Sequence, residues 1–174
     1  MKFLEKDLEE IIYNTYLSSP EKLRKKNLYM HGSIKRQLKI GNYGILDLLT
    51  INREYEHEVE PFWNAEKCIL EYKEVITPVL VLTVYELKKE KVGISAFLQC
   101  YGYIKGLKDW FEEHKPTIKV RFESVLIGKE LDTSGSFCYL PELIHELEVY
   151  TYSYDVDGLN FKNEVGYKLI NKGF

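Results

Sequence analysis

The sequence predicts an α/β domain, a β-sheet covered by helices in the order helix, three strands, helix, strand (αβββαβ), with extra strands towards the C-terminus. Three observations carry this. Apolar residues recur at helical spacing over 3–17, residues 78–88 (PVLVLTVYELK) are almost all strand formers, and a long apolar helical pattern spans about 94–114.

In chain order, Phe3, Leu4, Leu8, Ile11, Ile12 and Tyr16 give the first helix its apolar stripe, and Ser18, Ser19 and Pro20 break it. A basic connector or short second helix runs to about Leu28. Residues 34–40 alternate, Ile34, Arg36, Leu38 and Ile40 against Lys35, Gln37 and Lys39, which predicts a strand with one apolar face. Gly41, Asn42, Tyr43 and Gly44 form a turn. Residues 44–51 (GILDLLTI) make a second strand with one acid inside it. Residues 52–77 show no clear period and read as a long excursion, a hairpin or an arm. The run at 78–88 is the strongest strand and suits a sheet covered on both faces. After the helix at 94–114 come a strand over 118–127, a loop rich in Ser and Gly, and a short helix opened by Pro141. Strands from 147 to 154 and beyond follow, with Asp157-Gly158 as a hairpin turn.

A chain of 174 residues fits one core, so a single domain over 1–174 is expected. Hydrophobic residues at 45% and charged residues at 29% exclude disorder for most of it. No stretch reaches the roughly 18 apolar residues of a membrane span, and the N-terminus is too charged for a signal peptide. Cys68, Cys100 and Cys138 are widely spaced and odd in number, which argues against a disulfide framework and suits a reducing cytoplasm. The net charge is 24 − 27 = −3, unevenly spread. Seven basic residues and no acid lie between Lys22 and Lys39, whereas seven glutamates face two lysines between Glu54 and Glu74. Each block is either a solvated face or, functionally, a phosphate-facing patch and a region that keeps polyanions away.

The informative residues are charges inside apolar runs. Asp47 sits within Ile45-Leu46-Asp47-Leu48-Leu49, and Glu86 and Lys88 end the most hydrophobic strand. Isolated buried carboxylates are costly, so they are normally paired or bound to metal. Glu86 and Lys88 share a face by strand geometry, while Leu87 points into the opposite layer. Read structurally, Asp47 ends a strand and Glu86–Lys88 is a strand-end ion pair. Read functionally, Asp47 and Glu86 meet at the sheet edge and supply the two hard oxygen ligands that Mg²⁺ accepts alongside waters. Lys88 would then reach a water or phosphate oxygen, a layout for metal-assisted phosphodiester hydrolysis.

On the long helix Gln99 and Tyr103 share a face, so Gln99 either satisfies a backbone group or orients Lys88 or the attacking water. Gly102 and Gly106 read as close-packing positions. The four histidines have no zinc-ligand spacing, and neither a nucleophilic Cys or Ser signature nor a phosphate-binding or dinucleotide glycine loop is present.

In order, Glu5-Lys6-Asp7-Leu8, Arg36, Gly44-Ile45-Leu46-Asp47-Leu48, Val84-Tyr85-Glu86-Leu87-Lys88 and Gln99-x-x-x-Tyr103 resemble the PD-(D/E)xK nuclease superfamily, in particular its NucS-type and RecB-like branches. The resemblance covers about residues 3–113. It implies a restriction-endonuclease-like core and a Mg²⁺- or Mn²⁺-dependent deoxyribonuclease. Metal would be held by Asp47, Glu86 and the Leu87 carbonyl, with Lys88 and Gln99 completing the chemistry. A first-helix carboxylate joins them, placed on Glu5 with Glu9 as second choice. Arg36 resembles an arginine that engages the nucleic-acid backbone, and with Lys39, Tyr43 and Tyr103 it makes up the expected DNA-facing set. Two departures stand out: Leu46 replaces the leading proline, and residues 52–77 form an insertion, an arm for dimerisation or a substrate gate.

Two further readings stay open. One is a catalytically inactive nuclease-fold module that binds nucleic acid or a protein partner. The other is an assembly role in which the acidic 54–74 region is an interface. The oligomeric state stays open, with a homodimer compatible with a nuclease that cuts two strands.

Overall fold

The computed structural model describes residues 4–134 and 137–164, and of Cys138 the backbone only. Phe3, residues 135–136 of the Ser/Gly loop and the Cys138 thiol therefore lie outside the described residues. Helix α1 (Glu5–Ser18) starts where the Asp7 carboxylate accepts the Leu4 N–H at 2.7 Å, with Glu5 and Asp7 at its positive end. It stops at Ser19, and Pro20 opens α2 (Pro20–Lys25). Three antiparallel strands follow: β1 (Ser33–Ile40), β2 (Gly44–Asn64) and β3 (Ile69–Leu87). After the short β4 (Lys91–Val92) come α3 (Ile94–His114), β5 (Val120–Gly128) and the short β6 (Glu130–Leu131). A 3₁₀ turn (Phe137–Tyr139) leads through α4 (Leu140–Leu143) to the hairpin β7 (Leu147–Asp155) and β8 (Gly158–Asn163).

The main sheet has the order β1-β2-β3-β5-β7-β8 and is mixed: β3, β5 and β7 run parallel, the remaining neighbours antiparallel. Strands β4 and β6 form a separate two-stranded parallel sheet. One face of the main sheet is covered by α1 and α2, whose Leu8, Ile12 and Leu23 pack on Leu48, Tyr85, Leu87 and Val125. The other is covered by α3, whose Ala96, Cys100, Ile104 and Leu107 pack on Leu46, Leu49, Leu82 and Val84. This is the α/β sandwich that the apolar patterns predict, and Leu87 lies in the layer opposite Val84 as strand alternation requires. No helix among the described residues is long and apolar enough to cross a membrane.

Residues 52–77, read as a long excursion, a hairpin or an arm, are a hairpin: β2 and β3 continue as one ladder, paired from Leu48↔Tyr85 out to Asn64↔Ile69. The lack of a clear period is corrected over 54–60, where Glu54, Glu56, Glu58 and Glu60 alternate with Tyr55, His57 and Val59. Two further expectations are corrected. Residues 34–40 do not keep one apolar face. Ile34 packs on the α1 side and Ile40 on the α3 side, although their even spacing should place them together. The phase changes at Gln37, whose φ of 50° is left-handed, and β2 changes with it: Leu46 faces α3 and Leu48 faces α1. Finally, of Gly102 and Gly106 only Gly106 is a close-packing position. A Cβ there would meet the Tyr43 ring at 2.5 Å and Ile40 at 2.6 Å, whereas Gly102 faces open space.

Candidate active site

The paired phase change of β1 and β2 prepares the site. Arg36↔Leu48 and Leu38↔Leu46 pair across the two strands, leaving Gln37 and Asp47 at the break between them. The β2–β3 ladder likewise begins only at Leu48↔Tyr85. Asp47 therefore stands where regular backbone pairing stops, and its side chain takes over. Asp47 Oδ2 accepts the Leu87 N–H at 2.8 Å, which fixes this carboxylate against the C-terminal end of β3.

Glu86, one residue earlier on β3, is 1% exposed. Its Oε1 accepts from Lys88 Nζ at 2.5 Å, as their shared strand face predicts. Its Oε2 is buried and accepts no hydrogen bond among the described residues. Lys88 Nζ also donates to Gln99 Oε1 at 3.2 Å, Gln99 Nε2 donates to the Tyr103 hydroxyl at 2.8 Å, and Tyr103 donates to the Ile45 carbonyl at 2.9 Å. One hydrogen-bonded chain thus ties Lys88 through α3 to β2, two residues before Asp47. Gln99 is exposed, yet its amide finds a partner at each end.

Helix α1 supplies the acids on the other side. Glu5 Oε2 accepts the Lys89 N–H at 3.1 Å, and a cavity of about 500 Å³ is lined by Glu5, Lys6, Glu9, Arg36, Gln37 and Asp47. Glu9 is buried one turn further on, accepting from Gln37 and ion-paired with Arg36 Nε at 3.1 Å.

Electrostatics set these acids apart from the surface carboxylates. Burial, with the negative charges of Glu5 and Glu9 added, raises Asp47 to about 6 despite the Leu87 N–H. Burial together with Asp47 and Glu5 raises Glu86 to about 7 despite Lys88. Burial pulls Lys88 down, but its contact with Glu86 and the nearby Glu5 and Asp47 carry it above its ordinary value. The group is an excess of acid over base held out of water, as functional sites often are.

Asp47, Glu86, Lys88, Gln99, Glu5 and the Leu87 backbone therefore come together. The four residues of the DNA-facing set do not behave alike. Lys39 is exposed on β1. Tyr43 is exposed, and its hydroxyl donates to Asp109 at 2.9 Å. Arg36 is held by Glu9 and lies over the Tyr13 ring at 5.2 Å, so it is already partnered. Tyr103 is buried with its hydroxyl bonded at both ends, so it positions Gln99 and offers no surface to a base. The Ile45 carbonyl and Gln37 were not legible as part of this cluster, since no residue-type signal marks either; Glu9 was, from its spacing with Glu5.

A metal is tested against this geometry. Among the described residues no three His, Cys, Asp or Glu side chains form a ready ligand group. Mg²⁺ needs only one or two carboxylates, completed by carbonyls and waters. Two acids raised by burial, Glu86 further by the charge of Asp47 and with an unpartnered buried oxygen, fit such an ion. No protein-family model, curated protein or solved structure matches the chain.

Proposed function

We propose that the chain is a divalent-metal-dependent nuclease that hydrolyses DNA phosphodiester bonds, on a restriction-endonuclease-like core. The observation that carries this reading is the unpartnered, buried Oε2 of Glu86 beside Asp47, with Lys88 held to the same cluster by Gln99. A structural ion pair has no use for a second acid at that point, because each buried charge adds desolvation cost. Asp47, Glu86 and the Leu87 carbonyl would hold Mg²⁺ or Mn²⁺. When bound, the ion would supply an activated water and neutralise charge developing on the phosphate.

The chain's own residues do the rest. Asp47 is oriented by the Leu87 N–H. Lys88 keeps its proton, so its ammonium can donate to a phosphate oxygen or orient the incoming water. Gln99, braced by Tyr103 and the Ile45 carbonyl, fixes the position of Lys88 Nζ. Glu5 adds negative charge from α1 and, through the Lys89 N–H, holds that helix against the end of β3. The basic block that includes Lys35 and Lys39 gives a phosphate backbone an approach on the β1 side.

The second reading, a module that binds without cutting, is favoured by the 2.5 Å contact that closes Lys88 onto Glu86. One assay separates the two. Single-stranded, branched and duplex DNA are incubated with the chain and Mg²⁺ or Mn²⁺, with Lys88→Ala alongside. Metal-dependent cleavage lowered about 100-fold or more in the variant supports the nuclease. Binding without cleavage, or cleavage undiminished in Lys88→Ala, removes it.

A further inference from the structure

The β2–β3 hairpin extends well past its neighbours. Strand β1 pairs with β2 no further than Ile51, and β5 pairs with β3 no further than Leu80, yet the hairpin continues to Asn64↔Ile69. Strand alternation then fixes what each face carries. Leu49 and Leu82 face α3, so Tyr55, Val59 and Trp63 of β2 and Leu70, Tyr72 and Ile76 of β3 continue that face beyond the end of the helix. These six side chains are 54–68% exposed. The opposite face carries Glu54, Glu56 and Glu58, which are ion-paired to Lys119 and Arg121, and the exposed Glu60.

An uncovered two-stranded ribbon is marginal in water, and a contiguous apolar patch of this extent marks an interaction surface. We propose that this face is the contact between two copies of the chain, packed arm against arm about a twofold axis. The inference does not depend on the cleavage chemistry.

Three observations select a second copy. The first is area. Six side chains of this size at that exposure present on the order of 700 Å² per copy, so two faces together remove about 1,400 Å² from water, within the range of specific interfaces. The second is charge. Between Glu54 and Glu74 the arm carries seven glutamates against two lysines, 2 − 7 = −5, and with Lys119 and Arg121 on its opposite face the balance stays negative at −5 + 2 = −3, which disfavours nucleic acid and anionic lipid as partners of the arm. The third is self-complementarity. Outward of Tyr55 the charged side chains on this face are His57 and Glu74, which bond each other at 2.9 Å, so the outer part of the face carries its charges as a matched pair into a contact with itself. The exposed Arg53 sits at the inner edge of the face, beside the partly buried Ile51 and Leu80, and marks its inner limit. The glutamates of the opposite face stay in water on both outer sides of the assembly.

The test is sedimentation velocity on the whole chain from about 1 to about 100 μM, against Trp63→Glu/Tyr72→Glu and, as a control on the other face, Glu58→Gln/Glu60→Gln. The expected mass is 2 × 20.6 kDa for the parent and the control. The double variant is expected to be monomeric, its dimer constant weakened at least about 30-fold, with unchanged far-UV circular dichroism. A parent that is monomeric throughout overturns the proposal. So does a dimer that survives the double variant, or one that dissociates in the control. A monomer that floats with phosphatidylcholine vesicles would assign the face to a lipid surface instead.

Discussion

Replacing Glu86 by glutamine removes a charge the fold holds at a cost, and the effect has a defined pH dependence. Glu86 is 1% exposed, and its carboxyl is raised from an ordinary 4.5 to about 7. At about 1.4 kcal/mol per pH unit, ionising it in the folded chain costs about 3 kcal/mol more than in the unfolded chain, with the attraction of Lys88 already included. The folded chain binds this proton more tightly than the unfolded chain does. The stability it confers is therefore fully present below about pH 4.5 and is lost as pH rises through about 7. Glutamine resembles the protonated acid in shape and hydrogen bonding, and Oε1 can still accept from Lys88. Urea unfolding of parent and Glu86→Gln, followed by far-UV circular dichroism at intervals from pH 4 to pH 8, isolates this group by difference. The variant is expected to match the parent near pH 4 and to exceed it by about 2–3 kcal/mol at pH 8, although it cleaves no DNA. Parallel stability profiles across that range, or a variant less stable at pH 8, would refute the reasoning, because the carboxylate would then be a net contributor to the fold.

Other outcomes follow from the same contacts. Tyr103→Phe removes the hydroxyl between Gln99 and the Ile45 carbonyl, two partners that water can still reach, so thermal unfolding should show a loss of about 0.5–1.5 kcal/mol and cleavage should fall without a change in DNA binding. Unaltered cleavage would show that Gln99 needs no brace. Gly106→Ala drives a methyl to within 2.6 Å of Tyr43 and Ile40, and overpacking there should cost about 1–3 kcal/mol by urea unfolding; Gly102→Ala, facing open space, should be neutral or stabilising. Equal effects at the two glycines would contradict this packing. Asp47→Asn retains an acceptor for the Leu87 N–H but not the charge, so it should leave stability at pH 8 equal or higher and abolish metal-dependent cleavage.

The sequence showed most of this site because its signals are local. Two-residue periodicity places Glu86 and Lys88 together with Leu87 opposite, and four-residue periodicity places Gln99 beside Tyr103. Both follow from backbone geometry alone. Asp47 stood out because an acid inside an apolar run needs a reason. The phase change at Gln37 and Asp47 was hidden, since a left-handed glutamine has no residue-type signature and the alternation of 34–40 looks regular on paper. The hairpin was legible only as one of the open readings of 52–77. Glutamates alternate with Tyr55, His57 and Val59 over 54–60, but Pro61, Phe62 and Trp63 and the turn at 65–68 interrupt that two-residue period. Arg36 was expected at a nucleic-acid surface from its position in the family resemblance, and Tyr103 was counted with it; the burial of Tyr103 and the Glu9 partner of Arg36 are tertiary facts.

Binding of Mn²⁺ to the chain without DNA, read by the loss of the free-ion electron paramagnetic resonance signal at pH 8, tests the cation site most directly. One ion per chain is expected, with affinity lowered about tenfold or more in both Asp47→Asn and Glu86→Gln and unchanged in Glu58→Gln on the hairpin arm. No binding at millimolar Mn²⁺, or binding indifferent to Asp47 and Glu86, would contradict the assignment of these two carboxylates to a metal.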